Sequence, residues 1–140
     1  MITENIQALV KYRLEQADEA LKAAGVLLEK GLDRQVINRA YYAMFYGVLA
    51  LLATRKLETS KHSGAVSLFD KEFIKPGTFS KDLSRWLHDA FDLRQRSDYT
   101  VEFHVTGDET RVILENAVSF VGEVKTVLAK LVDNPDISAP

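Results

Sequence analysis

Three short clusters hold the side chains able to do chemistry. The first is Asn38-Arg39-Ala40-Tyr41-Tyr42-Ala43-Met44-Phe45-Tyr46, in which Tyr42 and Tyr46 follow Arg39 at i+3 and i+7. On a helix these three share a side. A guanidinium beside phenol rings can hold a phosphate and leave room for a base to stack. The same residues would also serve as an arginine neutralised by a carboxylate inside a bundle, with tyrosines as core filler. The second cluster is Arg94-Gln95-Arg96-Ser97-Asp98-Tyr99, where Arg94 and Asp98 stand at i,i+4 and can pair. Arg94 lies at the edge of a stripe of Leu83, Leu87 and Ala90, which brings its guanidinium to the interior or to a cleft. The pair is then either a structural ion pair or part of a binding site. The third is Lys61-His62-Ser63-Gly64. A neutral His62 could move protons near physiological pH, and the neighbouring lysine disfavours the imidazolium; capping or packing is the other role open to it.

Several chemistries are excluded by type and spacing. Histidines 62, 88 and 104 have no metal-site spacing, and no His-Glu-x-x-His pattern occurs. The seven glycines are scattered singly, so no loop cradles a phosphate in the manner of a nucleotide hydrolase. With no cysteine, thiolate zinc sites and cysteine nucleophiles are also absent. No metal and no cofactor is expected.

Helices must position these groups. From Val10 the apolar residues step through Leu14, Ala17, Leu21, Ala24 and Leu28 in fours and threes, with Lys30 and Gly31 suited to the helix end. Asp33 is placed to cap a second helix, about Arg34 to Thr54, whose large stripe (Ile37, Tyr41, Met44, Val48, Leu51) and small stripe (Ala40, Ala43, Gly47, Ala50) leave it apolar nearly all round. Such a helix is central in a bundle, and Gly47 is expected to mark a close backbone approach. A short helix over His62 to Phe73 stops before Pro76-Gly77, and Ser80 caps a fourth that runs to about Ser97 or Tyr99. Thr106 and Glu109 have capping-box spacing for a fifth, which continues through Leu131 and ends at Asn134-Pro135. Residues 99–105 could form only an isolated strand, so they read as a loop or helix extension. The fold class is all-α, an up-and-down bundle of four long helices plus one short helix.

The chain has 140 residues, 46% hydrophobic and 27% charged, with a formal net charge of -2. This is the profile of one globular domain over 1–140, with its core at about 5–131. A pI near 5.9 gives no global attraction to nucleic acid, so any RNA contact must come from a local basic cluster. No secretory signal opens the sequence, and the apolar run Ala40 to Ala53 is too short to span a bilayer. A cytoplasmic protein with no membrane contact is expected.

Taken together, the Asn38–Phe45 segment, Lys61-His62-Ser63-Gly64 with Phe69, and Arg94 to Tyr99 resemble the HEPN superfamily, in particular its small single-domain prokaryotic branch, over roughly residues 5 to 131. The resemblance implies a helical bundle, a homodimer, and a neighbouring minimal nucleotidyltransferase as partner in a toxin–antitoxin or defence setting. Active members of that superfamily are metal-independent endoribonucleases, with an Arg followed four to six residues later by a His. Here those positions after Arg94 are Tyr99, Thr100 and Val101, and after Arg96 they are Val101, Glu102 and Phe103; His104 lies one residue too far. The ribonuclease motif is therefore degenerate. One reading is a dimeric module that binds the nucleotidyltransferase, RNA or a nucleotide, with Arg39, Tyr42, Arg94, Asp98 and Tyr99 lining a polar cleft. The alternative is an endoribonuclease that uses Arg94 with His104 or His62. The all-round apolar second helix also points to a homodimer, and the resemblance marks Tyr99 as the acceptor if the partner nucleotidylates this chain.

Overall fold

The computed structural model describes residues 2–132, and these form five α-helices without a strand. Helices α1 (Glu4–Glu29), α2 (Asp33–Thr54), α4 (Lys81–Tyr99) and α5 (Gly107–Val132) are long, and α3 (His62–Phe69) is short. The expected bundle is present. The Asn134-Pro135 stop lies outside the described residues.

The helix ends follow the local chemistry in most places. Gly31 takes φ +70 and closes α1 with Leu32 N–H on the Leu27 carbonyl and Gly31 N–H on that of Leu28, both 3.1 Å. Ser80 Oγ accepts from Asp82 N–H and begins α4. Thr106 and Glu109 satisfy each other, Glu109 N–H donating to Thr106 Oγ1 at 3.1 Å and Thr106 N–H to Glu109 Oε1 at 3.3 Å. Asp33 does not cap α2. It is the first helical residue and Leu32 is the N-cap, so the carboxylate acts on the exposed amides of the first turn by charge alone.

The predicted His62–Phe73 helix is also not uniform. After Phe69 the chain widens into a π turn over Asp70–Ile74, closed by Lys75 N–H on the Asp70 carbonyl at 2.8 Å. The wider turn lets Phe73 join Phe69 and Phe79 in the core while Asp70 stays outside, bonded by Ser84 and His88 of α4. Gly77, at φ +88, then turns the chain toward α4.

Helix α2 packs against all four other helices. By length and mean hydropathy its 22 residues could cross a bilayer, but 61% of that apolar window is buried in the bundle. Its apolar surface is thus used mainly as core, with Ile37, Tyr41, Met44, Val48 and Leu51 at most 1% exposed. Gly47 corrects the sequence reading. A Cβ there would meet Val124 and Phe120 at 3.7 and 3.8 Å, which is ordinary contact, so α5 does not come close enough to require glycine.

Candidate functional site

Helix α2 supplies an aromatic floor of Tyr41, Tyr42 and Phe45, α3 begins over it with His62, and the last turns of α4 bring Arg94 and Asp98. The His62 ring stacks on Phe45 with centroids 4.2 Å apart and planes 3° from parallel. It meets Tyr42 edge-on at 5.6 Å. His62 does not cap α3: it is the first helical residue, and its Nδ1 lies 2.8 Å from the Tyr41 hydroxyl.

That hydrogen bond fixes the tautomer. Tyr41 is fully buried, and among the described residues His62 is the sole partner of its hydroxyl, so the O–H must donate to Nδ1 or leave its proton unsatisfied. The imidazole then carries its own proton on Nε2. Among the described residues Nε2 has no protein partner, and it is not sealed from solvent. Burial, and after it the Arg94 charge, holds the His62 pKa below the ordinary histidine value. Burial pushes Tyr41 well above the usual phenol range against the opposing pull of Arg94, so Tyr41 stays protonated. His62 is a neutral N–H donor at physiological pH.

Arg94 lies over the same floor, its guanidinium carbon 5.4 Å from the ring centroids of both Tyr41 and Tyr42. Asp98 Oδ2 is 3.2 Å from Arg94 Nε, which confirms the i,i+4 pair. The carboxylate is off the N–H direction, so the buried Nε has a charge partner but no hydrogen bond. Neither terminal nitrogen of Arg94 has an acceptor among the described residues, and both reach solvent. Arg39 has no carboxylate within 4 Å among the described residues, which removes the idea of an arginine neutralised inside the bundle. Its Nε and Nη2 donate to Asn38 Oδ1 at 3.1 and 2.9 Å, and its guanidinium lies 5.0 Å from the Tyr42 ring centroid. Two cations therefore share one phenol ring.

Beside Asp98 is a polar cleft of about 320 Å³, lined by Arg34, Gln35, Asn38, Ser97 and Asp98. Arg34 Nη1 donates to the Ser97 carbonyl at 2.7 Å, tying the start of α2 to the last turn of α4. Arg34 and Arg96 also lie against Phe103, at 5.4 and 5.8 Å from its ring centroid, and pin the loop after α4. The structure thus brings together Arg39, Tyr42, His62, Arg94 and Asp98. Of the five residues expected to line a polar cleft, Asp98 alone lines this one; Arg39, Tyr42 and Arg94 lie at the aromatic floor beside it, and Tyr99, at the end of α4, is 81% exposed. His104 is exposed in the following loop and is not among the rings and cations that meet at the aromatic floor. Sequence reasoning missed the Tyr41 hydroxyl and Arg34, whose partners lie 21 and 63 residues away.

The HEPN domain profile matches residues 10–131, which contain every part of this site. The chain belongs to the HEPN domain family. Two Methanocaldococcus jannaschii proteins, both named as a "putative toxin", are similar to it. One is 36% identical over 130 residues, covering 93% of each chain, and the other 32% over 115 residues, covering 82% of this chain and 78% of its own. A Thermotoga maritima "UPF0332 protein" is 30% identical over 125 residues, covering 89% of this HEPN chain and 95% of the relative.

Proposed function

We propose that this HEPN chain is a non-cutting module of a toxin–antitoxin or defence pair, which binds a phosphate group of a nucleotide or RNA through Arg94 and His62. The carrying observation is the Tyr41 hydroxyl bonded to His62 Nδ1. It leaves His62 with a neutral Nε2–H, next to an arginine whose two terminal nitrogens have no protein acceptor among the described residues. Three donor nitrogens, His62 Nε2 and the two terminal nitrogens of Arg94, then belong to side chains on one aromatic floor, and the carboxylate beside them, Asp98, is paired with Arg94, which suits holding an anion rather than taking a proton from a 2′-hydroxyl. Calorimetric titration with a nucleoside 5′-monophosphate tests this. Binding is expected for the wild type and a loss of tenfold or more for Arg94→Gln; equal binding by both overturns the reading.

The second reading, metal-independent RNA cleavage, is favoured in one form only. Arg94 and His62 share the aromatic floor, whereas His104 does not join them. Cleavage of single-stranded RNA that disappears in His62→Ala would establish it and displace the first reading.

The module acts as a homodimer and takes a nucleotidyltransferase as its partner in this proposal. Exposed Leu9, Tyr12, Val112 and Val118 supply apolar surface on α1 and α5 for association. Light scattering that shows a monomer up to millimolar concentration overturns the dimer. The exposure of Tyr99 makes its hydroxyl reachable for nucleotidylation. Mass spectrometry after incubation with such an enzyme and ATP should find an adduct that Tyr99→Phe abolishes.

A further inference from the structure

The chain carries a slight net negative charge, yet one of its grooves is strongly basic. It lies between the π turn and the start of α4, has a volume of about 700 Å³, and is lined by Lys71, Lys75, Lys81 and Arg85 together with Ser67, Ser84, Ile74 and Asp70. The one carboxylate in this lining is already engaged: Asp70 accepts from Ser84 Oγ at 2.7 Å and lies 2.7 Å from His88 Nε2. Arg85 pairs with Asp82 at 3.0 Å on the exposed surface. Lys71, Lys75 and Lys81 are exposed and have no carboxylate within 4 Å among the described residues.

This groove and the Arg94 site are two ends of one seam. His62 begins α3 beside Arg94 near the end of α4, while Asp70 beyond α3 meets Ser84 near the start of α4, so the two segments run antiparallel. At the helical rise the two ends are roughly 12 to 15 Å apart. Along α4 the positions 81, 84, 88, 91 and 94 follow one another in threes and fours and therefore share a face. They are Lys81, Ser84, His88, Phe91 and Arg94, with no carboxylate among them. Of the acidic groups of α4, Asp89 and Asp92 line the groove toward α5, Asp82 pairs with Arg85, and Asp98 lies at the Arg94 end of this face, where it pairs with Arg94.

We infer that this seam is a track for a single-stranded nucleic acid: Lys71, Lys75 and Lys81 hold backbone phosphates a few nucleotides away from the one held by Arg94 and His62. The inference rests on the phosphate-binding reading of the Arg94 site for its second anchor. The three lysines are point charges suited to phosphates, and the groove has no exposed aromatic ring to select a base, so binding is independent of sequence. A lipid surface fits less well, because Ile74, half-buried, is the single large apolar residue of the lining and offers little to insert among acyl chains.

The test is fluorescence anisotropy with a labelled single-stranded RNA of about ten nucleotides, measured across a salt series for the wild type and for Lys71→Gln/Lys75→Gln/Lys81→Gln. All three side chains are exposed, so the variant keeps its fold. Each single-strand phosphate contact contributes about 0.7 to the slope of log affinity against log salt, so the variant should lose about 2 from the slope and bind tenfold or more weakly at low salt. Its affinity for a nucleoside monophosphate should equal that of the wild type. Wild-type RNA affinity and slope in the triple variant, or no RNA binding by the wild type, overturns the track. Loss of vesicle binding with RNA binding intact, using phosphatidylserine vesicles, overturns it in favour of a membrane. Monophosphate binding that is insensitive to Arg94→Gln is a separate result, which removes the Arg94 reading and leaves the lysine measurement to stand or fall by itself.

Discussion

Gly64→Ala probes how His62 is held in place. A Cβ at Gly64 would run into Thr59 Oγ1, well inside ordinary contact, and lie 3.4 Å from Thr59 Cβ. Swinging Thr59 aside gives up the bond that its Oγ1 accepts from Lys61 N–H at 3.3 Å and turns a branched side chain out of its rotamer. Two terms oppose each other. Alanine in place of glycine favours a helix by up to about 1 kcal/mol, whereas forcing an extra carbon into filled space costs about 1–3 kcal/mol. Gly64→Ala alone should therefore be neutral to destabilising by about 2 kcal/mol. In a Thr59→Ala background the obstruction is gone, and the same substitution should stabilise by up to about 1 kcal/mol. Urea unfolding of the four proteins gives the coupling as a double-mutant cycle. A coupling of about 1–3 kcal/mol is expected; additivity within about 0.5 kcal/mol would refute the claim that Thr59 is what keeps position 64 small. The displaced α3 start also carries His62, so monophosphate affinity should fall in Gly64→Ala and recover in the double variant.

Gly47→Ala should raise stability by up to about 1 kcal/mol, since the new methyl makes ordinary contacts with Val124 and Phe120; a lower thermal midpoint would contradict this. The His62 imidazole should titrate below its ordinary value of about 6.5 in an NMR pH series, and Arg94→Gln should move it upward. As pH falls below that ordinary value, the unfolded chain takes up a proton that folded His62 refuses. Its contribution to stability therefore declines until the lowered folded pKa is reached and is level below it; a titration that Arg94→Gln leaves unmoved would show that the charge of Arg94 does not act on the ring. His104→Ala should leave monophosphate affinity within twofold of wild type in the same calorimetric titration, because its loop does not join the aromatic floor; a larger loss would place the loop in the site.

Much of the bundle is legible in one dimension because its signals are local. The glycine at position 31 and the Thr106–Glu109 capping box act within a turn and appear where their chemistry puts them, and the threes and fours of α1 bury Val10, Leu14, Ala17 and Ala24, with Ala20 buried beside them while Leu21 and Leu28 are half-buried. The π turn was not legible, since it depends on Ser84 and His88 reaching Asp70 from another helix while Phe73 seeks the core. The candidate site divides the same way. Arg94 with Asp98 follows from i,i+4 spacing, and Arg39 beside Tyr42 from i+3. The Tyr41–His62 bond crosses from α2 to α3, and nothing in a stripe of core residues tells which hydroxyl has a partner. Gly47 shows the opposite error: a small residue in an apolar stripe suggested close approach where the neighbouring helix leaves room for a methyl.

The grip of Arg34 on the Ser97 carbonyl, with Phe103 held by Arg34 and Arg96, has a kinetic consequence. The last turn of a helix ordinarily frays, and amides there exchange with solvent almost as fast as in an open chain. Here that turn bears Asp98, and through it the orientation of Arg94. Pinned from α2, it should open rarely, and Thr100 N–H, bonded to the Arg96 carbonyl at 2.9 Å, should exchange slowly for a residue at a helix end. A phosphate arriving at Arg94 then meets a group already in place and has little ordering left to impose. Loosening the pin with Arg34→Ala should leave the guanidinium chemistry intact while shortening the lifetime of the bound state.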